Sequence, residues 1–294
     1  MRNLNESNIT EAVLESFSAT SDDRLREILG GLIRHLHDFA REVNLTEEEW
    51  MKGIQFLTAT GHMCDNVRQE FILLSDTLGL SQLVVAQNNS RPHSATEQTV
   101  FGPFHVEGAP LLPSGTDIAN GRPGSPCFVQ GRVSAQGQPV AEARVDVWQS
   151  DGDGFYDVQD SDWKIEETSL RATFITDANG CFSFRSLLPA SYPIPTDGPV
   201  GAMLSATGRH AMRPAHIHFM VERPGFDRLI THVFVEGDEY LESDTVFGVR
   251  STCVGNYVRR ENERAPDGSL VEGPFYTLDY EFVLDPVRTE VSHG

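Results

Sequence analysis

Proline is missing from the first ninety-one residues: all 16 prolines fall at or after Pro92, and only five of the 25 glycines precede it. So long a stretch without the usual breakers is free to run as helix. Positive charge is scarce too. Against 43 Asp and Glu stand 23 Lys and Arg, a formal net charge of −20, which excludes a general surface for nucleic acid or anionic membranes. No apolar run approaches the ~20 residues that cross a bilayer, and the opening Met-Arg-Asn-Leu-Asn-Glu-Ser lacks the apolar core of a secretory signal. Cysteine is limited to Cys64, Cys127, Cys181 and Cys253, without a C-x-x-C pair, so neither zinc spacing nor a redox motif is present. These four read as small buried hydrophobes in a reduced compartment. We expect a soluble, acidic, cytoplasmic protein. The H-E-x-x-H, G-x-S-x-G, Walker and dinucleotide fingerprints are absent as well.

What is present divides into two grammars. The 294 residues suffice for one large or two ordinary domains. In Ser21–Asn44 the apolar residues Leu25, Ile28, Leu29, Leu32, Ile33, Leu36, Phe39, Ala40 and Val43 follow the i, i+3, i+4, i+7 stripe of an amphipathic helix. Ser21, Asp22 and Asp23 supply its cap, and Asn44 its stop. Thr46-Glu-Glu-Glu49 forms a capping box for a second helix carrying Trp50, Ile54 and Leu57 inward. A third spans Asn66–Leu80.

After Pro92 the period shortens. Phe128–Val133, Ala143–Trp148, Arg171–Thr176, Cys181–Leu187, Ala215–Val221, Leu229–Val235 and Tyr276–Leu284 read as short strands, with Asp177-Ala-Asn-Gly180 as a hairpin turn. Seven strands without intervening helices predict an antiparallel sandwich. The fold class is α+β: a helical unit over 1–98 and an antiparallel β-sandwich over 99–294. Long loops, Pro189–Met212 and Val254–Gly273, mark functional segments.

The sharpest chemical signal is Arg213-Pro-Ala-His216-Ile-His218-Phe219. On a strand, residues i and i+2 share a face, so His216 and His218 present two imidazoles to one metal ion; the bland reading is two polar residues on a solvated face. No cysteine and no local carboxylate completes a ligand set. Asp151-Gly-Asp153-Gly154 fails as a calcium loop, because Phe155 stands where an oxygen ligand is needed, and reads as a tight turn. Tyrosine remains as the anionic ligand type suited to ferric iron, with Tyr156, Tyr192, Tyr240, Tyr257, Tyr276 and Tyr280 all open. His35 and His37 read as surface residues of the first helix. His62, His93, His210 and His293 have no ligand-like neighbours.

Over nearly its whole length the sequence resembles the intradiol ring-cleavage dioxygenases. Three segments carry the resemblance: Arg213-Pro-Ala-His216-Ile-His218, Val147-Trp-Gln149 leading into Gly154-Phe-Tyr156-Asp157, and Leu188-Pro-Ala-Ser-Tyr192-Pro193. The resemblance implies one non-haem Fe(III) per subunit, held by Tyr156, Tyr192, His216 and His218. Thr99-Val-Phe-Gly-Pro-Phe-His105, His232 (where catechol-cleaving relatives tend to carry Gln) and Asp244-Thr-Val-Phe-Gly248 resemble the branch that cleaves hydroxyquinol. The same matching lines the substrate pocket with Leu73, Asp76, Val100, Phe101, Gly102, Pro103, Phe104, Ile194, Pro195 and Val246. For Asp76 the bland reading is a solvated helix residue.

The resemblance further implies that an aromatic diol or triol displaces Tyr192, whose freed phenolate takes a proton. O2 then opens the ring between the two hydroxyl-bearing carbons. Arg213, three residues before His216, would stabilise the electron-rich ring; its bland role is a structural ion pair. Hydroxyquinol would give 3-hydroxy-cis,cis-muconate, the enol form of maleylacetate, a step of aromatic catabolism. A homodimer through the N-terminal helices is expected, because long apolar stripes on a small helical unit want a partner. The resemblance also allows a phospholipid at that interface. Rival readings are a catechol or chlorocatechol 1,2-dioxygenase, a non-catalytic metal- or ligand-binding sandwich, and a structural zinc site.

Overall fold

The computed structural model describes residues 3–65, 68–89, 95–160 and 162–287; His93, His293 and the expected helix start at Asn66 lie outside them. Two compact units result, residues 1–62 and 63–294.

The first unit is helical. Besides the two expected helices it has a short one the sequence pattern did not suggest, α1 (Ile9–Ser16). The Asp22 side chain accepts from the Leu25 amide at 2.9 Å and opens α2 (Asp23–Glu42). Thr46 and Glu49 form the expected reciprocal box, Thr46 N donating to Glu49 Oε2 at 3.0 Å and Glu49 N to Thr46 Oγ1 at 3.3 Å, at the start of α3 (Glu47–His62). α1 packs on α2 through Thr10, whose hydroxyl bonds His37 Nδ1 at 2.9 Å, so His37 is half-buried while His35 is exposed as expected. No apolar side chain described in this unit is fully buried.

In the second unit the expected third helix is α4 (Glu70–Thr77), and a further helix the sequence pattern did not suggest, α5 (Leu80–Asn88), follows it. Gly79, at φ 75°, breaks the run. The loop 189–212 carries a further helix, α6 (Pro199–Ala206), with proline in its first turn.

All seven expected strands are present, joined by short ones. In chain order they are β1 (Pro126–Ala135), β2 (Gln138–Pro139), β3 (Arg144–Gln149), β4 (Arg171–Ile175), β5 (Cys181–Leu187), β6 (Tyr192–Pro193), β7 (Met212–Arg213), β8 (His216–Glu222), β9 (Leu229–Val235), β10 (Val254–Gly255), β11 (Val258–Glu261) and β12 (Pro274–Val283). One sheet centres on β1, which pairs with β12, β5 and β2, with β11 beyond β12; the other runs β10-β9-β8-β3-β4. β6 and β7 pair only with each other.

The sandwich is mixed, not antiparallel. β1 runs parallel to β12, Val129 opposite Leu278, and β9 parallel to β10. β12 returns beside β1 only after the chain has crossed both sheets, and a long crossover permits parallel pairing. The turn at Asp177–Gly180 forms, with the Asp177 carboxylate accepting from the amides of Asn179 and Cys181. It carries the chain from one sheet to the other and closes no hairpin, since β4 and β5 lie in different sheets.

Between the sheets Val129, Phe182, Phe184 and Phe282 of one face meet Val145, Val147, Phe174, Ile217 and Phe219 of the other. Burying each such side chain is worth about 1.5–3 kcal/mol. The alternation that sends Ile217 and Phe219 into this core turns His216 and His218 to the outer face of their sheet. Cys127 and Cys253 are buried as expected, but Cys181 is exposed.

Candidate active site

β8 lies between β3 and β9, and register decides what stands beside its histidines. His218 is opposite Trp148 on one side and His232 on the other. The Trp148 ring stacks on the His218 ring at 4.8 Å and 13°. Tyr156 enters from the turn that follows β3, and Tyr192 from β6.

Four side-chain heteroatoms close a ring there. His216 Nε2 is 3.1 Å from His218 Nε2, which is 3.1 Å from the Tyr156 hydroxyl; that is 3.2 Å from the Tyr192 hydroxyl, which is 3.5 Å from His216 Nε2. The approach of the two tyrosines depends on Gly154, at φ 89°, where a Cβ would stand 2.6 Å from Tyr192 Cβ. The expected tight turn serves this end: the Asp151 carboxylate accepts from the Asp153 and Phe155 amides, both at 3.0 Å.

Protonation follows from burial. Burial, then the charge of Arg213, holds His216 well below the ordinary histidine range; burial, then His216, does the same to His218. Both rings are neutral. His216 Nδ1–H donates to the Pro214 carbonyl at 2.7 Å, so its Nε2 carries a lone pair toward the ring. Burial, then Tyr192, pushes the Tyr156 hydroxyl well above the ordinary tyrosine range, with Arg213 and Arg171 opposing.

The donor set fits a metal ion. Two imidazole nitrogens and two phenolic oxygens, without thiolate or carboxylate, suit a borderline-to-hard cation. Edges of 3.1–3.5 Å are what ligand atoms about 2 Å from a shared centre would have. The ligand atoms of His216, His218 and His232 also lie within 4.8 Å of one another. His232, however, turns Nδ1 to the Thr99 hydroxyl and stands outside the ring of four.

Arg213 is buried beside the ring, Nη1 3.4 Å from His216 Nε2 and Nε 3.3 Å from Asp244 Oδ1. Burial works against its charge, but Asp244 and then Tyr192 more than offset this and hold it cationic. It is therefore both an ion-pair partner and a cation at the site.

The expected pocket residues gather unevenly. Phe104 stacks on Tyr156 at 4.4 Å. Gly102 lies against His218, where a Cβ would stand 3.0 Å from Cε1. Leu73 packs on Ile194, Leu204 and Val246. Val100 is buried beside Thr99, and Phe101 packs its half-exposed ring on Trp148 and His105. Pro103 and Pro195 are exposed. Asp76 is half-buried near Arg213: burial raises its carboxyl, while a bond from Ser81 and the charge of Arg213 oppose.

Sequence reading singled out His232 through the resemblance and missed other neighbours. Trp148, like His232, is set beside His218 by strand register. Asp244 behind Arg213, and Asp157 with its buried partner Arg171 at 2.7 Å, join residues 31 and 14 apart without a local signal.

A family model described as Dioxygenase matches residues 100–286, and one described as Catechol dioxygenase N terminus matches 22–96. A 6-chlorohydroxyquinol 1,2-dioxygenase of Cupriavidus pinatubonensis is 53% identical, covering 97% of this chain and 99% of that protein. An intradiol ring-cleavage dioxygenase of Aspergillus niger is 43% identical over 97% of this chain and 86% of its own. The crystal structure of a hydroxyquinol 1,2-dioxygenase from Pseudomonas putida DLL-E4 superposes with a TM-score of 0.90 at 48% identity, covering 96% of this chain and 98% of that one. The chain belongs to the intradiol ring-cleavage dioxygenases.

Proposed function

We propose that this protein is a ferric intradiol dioxygenase that cleaves hydroxyquinol to 3-hydroxy-cis,cis-muconate. The ring of two imidazole nitrogens and two phenolic oxygens carries the reading; the names of the 53% and 48% identical proteins support the substrate. Tyr156, Tyr192, His216 and His218 would hold the metal. Bound there, Fe(III) supplies a Lewis acid that takes the diol as a dianion and opens it to O2.

The chain does the rest. Neutral His216 and His218 would offer the metal their lone pairs. Tyr192 would accept a proton from the incoming diol as a general base. Arg213, held cationic by Asp244, stabilises negative charge as it grows on the ring. Trp148, Phe101 and Phe104 keep water from that face. Leu73, Ile194 and Val246 would form the apolar wall, with Val100, Gly102, Pro103 and Pro195 around it, and Asp76 would be the polar group that meets the third hydroxyl.

We infer that the 1–98 segment serves dimerisation. Leu25, Ile28, Leu32, Leu36 and Phe39 on α2 are 44–55% exposed in the single chain, a stripe suited to a second copy or to a phospholipid tail. We also propose a cytoplasmic location, the reduced compartment that suits four cysteines held as thiols.

The test is an iron assay with a substrate panel. The purified protein should be reddish from tyrosinate-to-iron charge transfer, hold one iron per chain and turn over hydroxyquinol faster than catechol. Faster catechol cleavage would move the substrate to the catechol branch, and a colourless, iron-free, well-folded protein would sink the enzyme reading.

A further inference from the structure

Segments 208–210 and 241–250, Asp244 among them, line an open cavity of about 590 Å3, the size of a small-molecule site. Two guanidinium groups line it. Arg209 donates to the carbonyls of Thr77 at 2.6 Å and Thr245 at 2.8 Å. Arg250 donates to the carbonyls of Phe247 at 3.0 Å and Val249 at 2.9 Å, and to Gln82 Oε1 at 2.9 Å. Every one of these partners is neutral. In a chain with nearly two acidic residues for each basic one, two neighbouring arginines anchored only by neutral acceptors are conspicuous. The anchors fix both forks and leave N–H donors free.

Three further features point to a ligand. Phe247 stands at φ 56°, a left-handed conformation uncommon for an aromatic residue. That turn puts its ring against the Arg209 guanidinium at 5.1 Å. Thr245, one of the lining residues and only 2% exposed, has a hydroxyl with no partner. His210 Nδ1 accepts from the Met212 amide, so its Nε2–H donates to Ser243 Oγ at 3.0 Å and leaves the serine proton free. The acidic neighbours compete little: Asp244 is spent on Arg213 and the amides of Val246 and Gly248, and Glu242 is exposed.

We propose that this cavity binds a small carboxylate anion, clamped by Arg209 and Arg250 and walled by Phe247. The ring-opened product is of that chemical class; the choice of probe, but not the site, rests on the proposed function. Asp244, which lines the cavity, pairs with Arg213 at 3.3 Å, so occupancy acts on turnover through that pair and not on competition for the substrate pocket.

The test is calorimetric titration of the iron-loaded protein with cis,cis-muconate and with its uncharged dimethyl ester. The diacid should bind and the ester should not. Arg250→Gln and Arg209→Gln should each weaken binding at least about tenfold, the loss expected of one charge-assisted contact. Thr245→Val and Arg209→Lys, which disturb the fold less, should weaken it several-fold if the glutamine variants do not fold. Muconate should lower kcat more than it raises KM. No binding, or binding undiminished in folded variants, overturns the site. A protein without ring-cleaving activity would overturn the proposed function and leave the titration readable.

Discussion

Tyr156 and Tyr192 bring their hydroxyls to 3.2 Å on very different supports. Tyr156 is fully buried, stacked on Phe104, and followed by Asp157. Its amide donates to Gln159 Oε1 at 2.8 Å, and the Asp157 carboxylate accepts from Arg171, Trp163 Nε1 and the Ser169 amide. Tyr192 rides a two-residue strand paired with one neighbour and flanked by exposed Pro193 and Pro195. Its nearest side-chain tether is Ser191 Oγ to Asp238 Oδ2 at 2.5 Å. With His216 and His218 on a central strand, the site has three rigid corners and one soft corner. A ligand that must leave and accept a proton belongs on the soft one.

The largest expected effect comes from cutting the rigid support. Asp157→Ala strands Arg171 as an unpaired charge in a residue 2% exposed, and losing one partner of a buried pair costs about 3–5 kcal/mol. Chemical denaturation should show that loss, together with faster release of the metal. A change below about 1 kcal/mol would mean Tyr156 is held by ring packing alone, and the contrast between the corners would fail.

Next is the exchange of one tyrosine for the other. Tyr192→Phe keeps three proposed ligands and removes the proton acceptor, so turnover should fall by about a hundredfold or more while iron remains bound. Tyr156→Phe should lose the iron and the colour. Equal iron loss in both would erase the distinction.

How much of this was legible depended on range. The strands were, because alternation is local; so was the His216–His218 pair, because i and i+2 share a face. The helix α5 lay beyond the expected end of the third helix at Leu80, and α6 inside a segment read as loop. Parallel pairing of β1 with β12 joins Cys127 to Tyr276, a separation at which no local pattern speaks. The supports of the two tyrosines were invisible for the same reason: Asp157 meets Arg171 and Ser191 meets Asp238 only once the fold exists.

A smaller effect should appear on the rigid side as pH falls. His216, His218 and His232 are held neutral by burial, whereas in the unfolded chain they take up protons near pH 6.5. Below that the unfolded state binds more protons, so the metal-free protein should lose up to about 1.4 kcal/mol per pH unit for each histidine. Replacing His232 with Gln should reduce the slope by one histidine's share, as read from denaturation midpoints between pH 7 and 5. An unchanged slope would mean that His232 is already protonated in the fold.

The smallest change tests the soft corner alone. Ser191→Ala removes one tether of the Tyr192 segment, while Asp238 keeps the amides of Ala215 at 3.1 Å and Tyr240 at 2.9 Å. Stability should fall by about 1 kcal/mol, the net worth of one such bond. If Tyr192 must swing out, a looser tether leaves iron content unchanged and holds kcat within about twofold, since 0.4 kcal/mol is already a factor of two. A loss of metal as large as that of Asp157→Ala would show that the serine tether fixes the ring of four as firmly as the buried ion pair does, and Tyr192 would then be a fourth rigid corner.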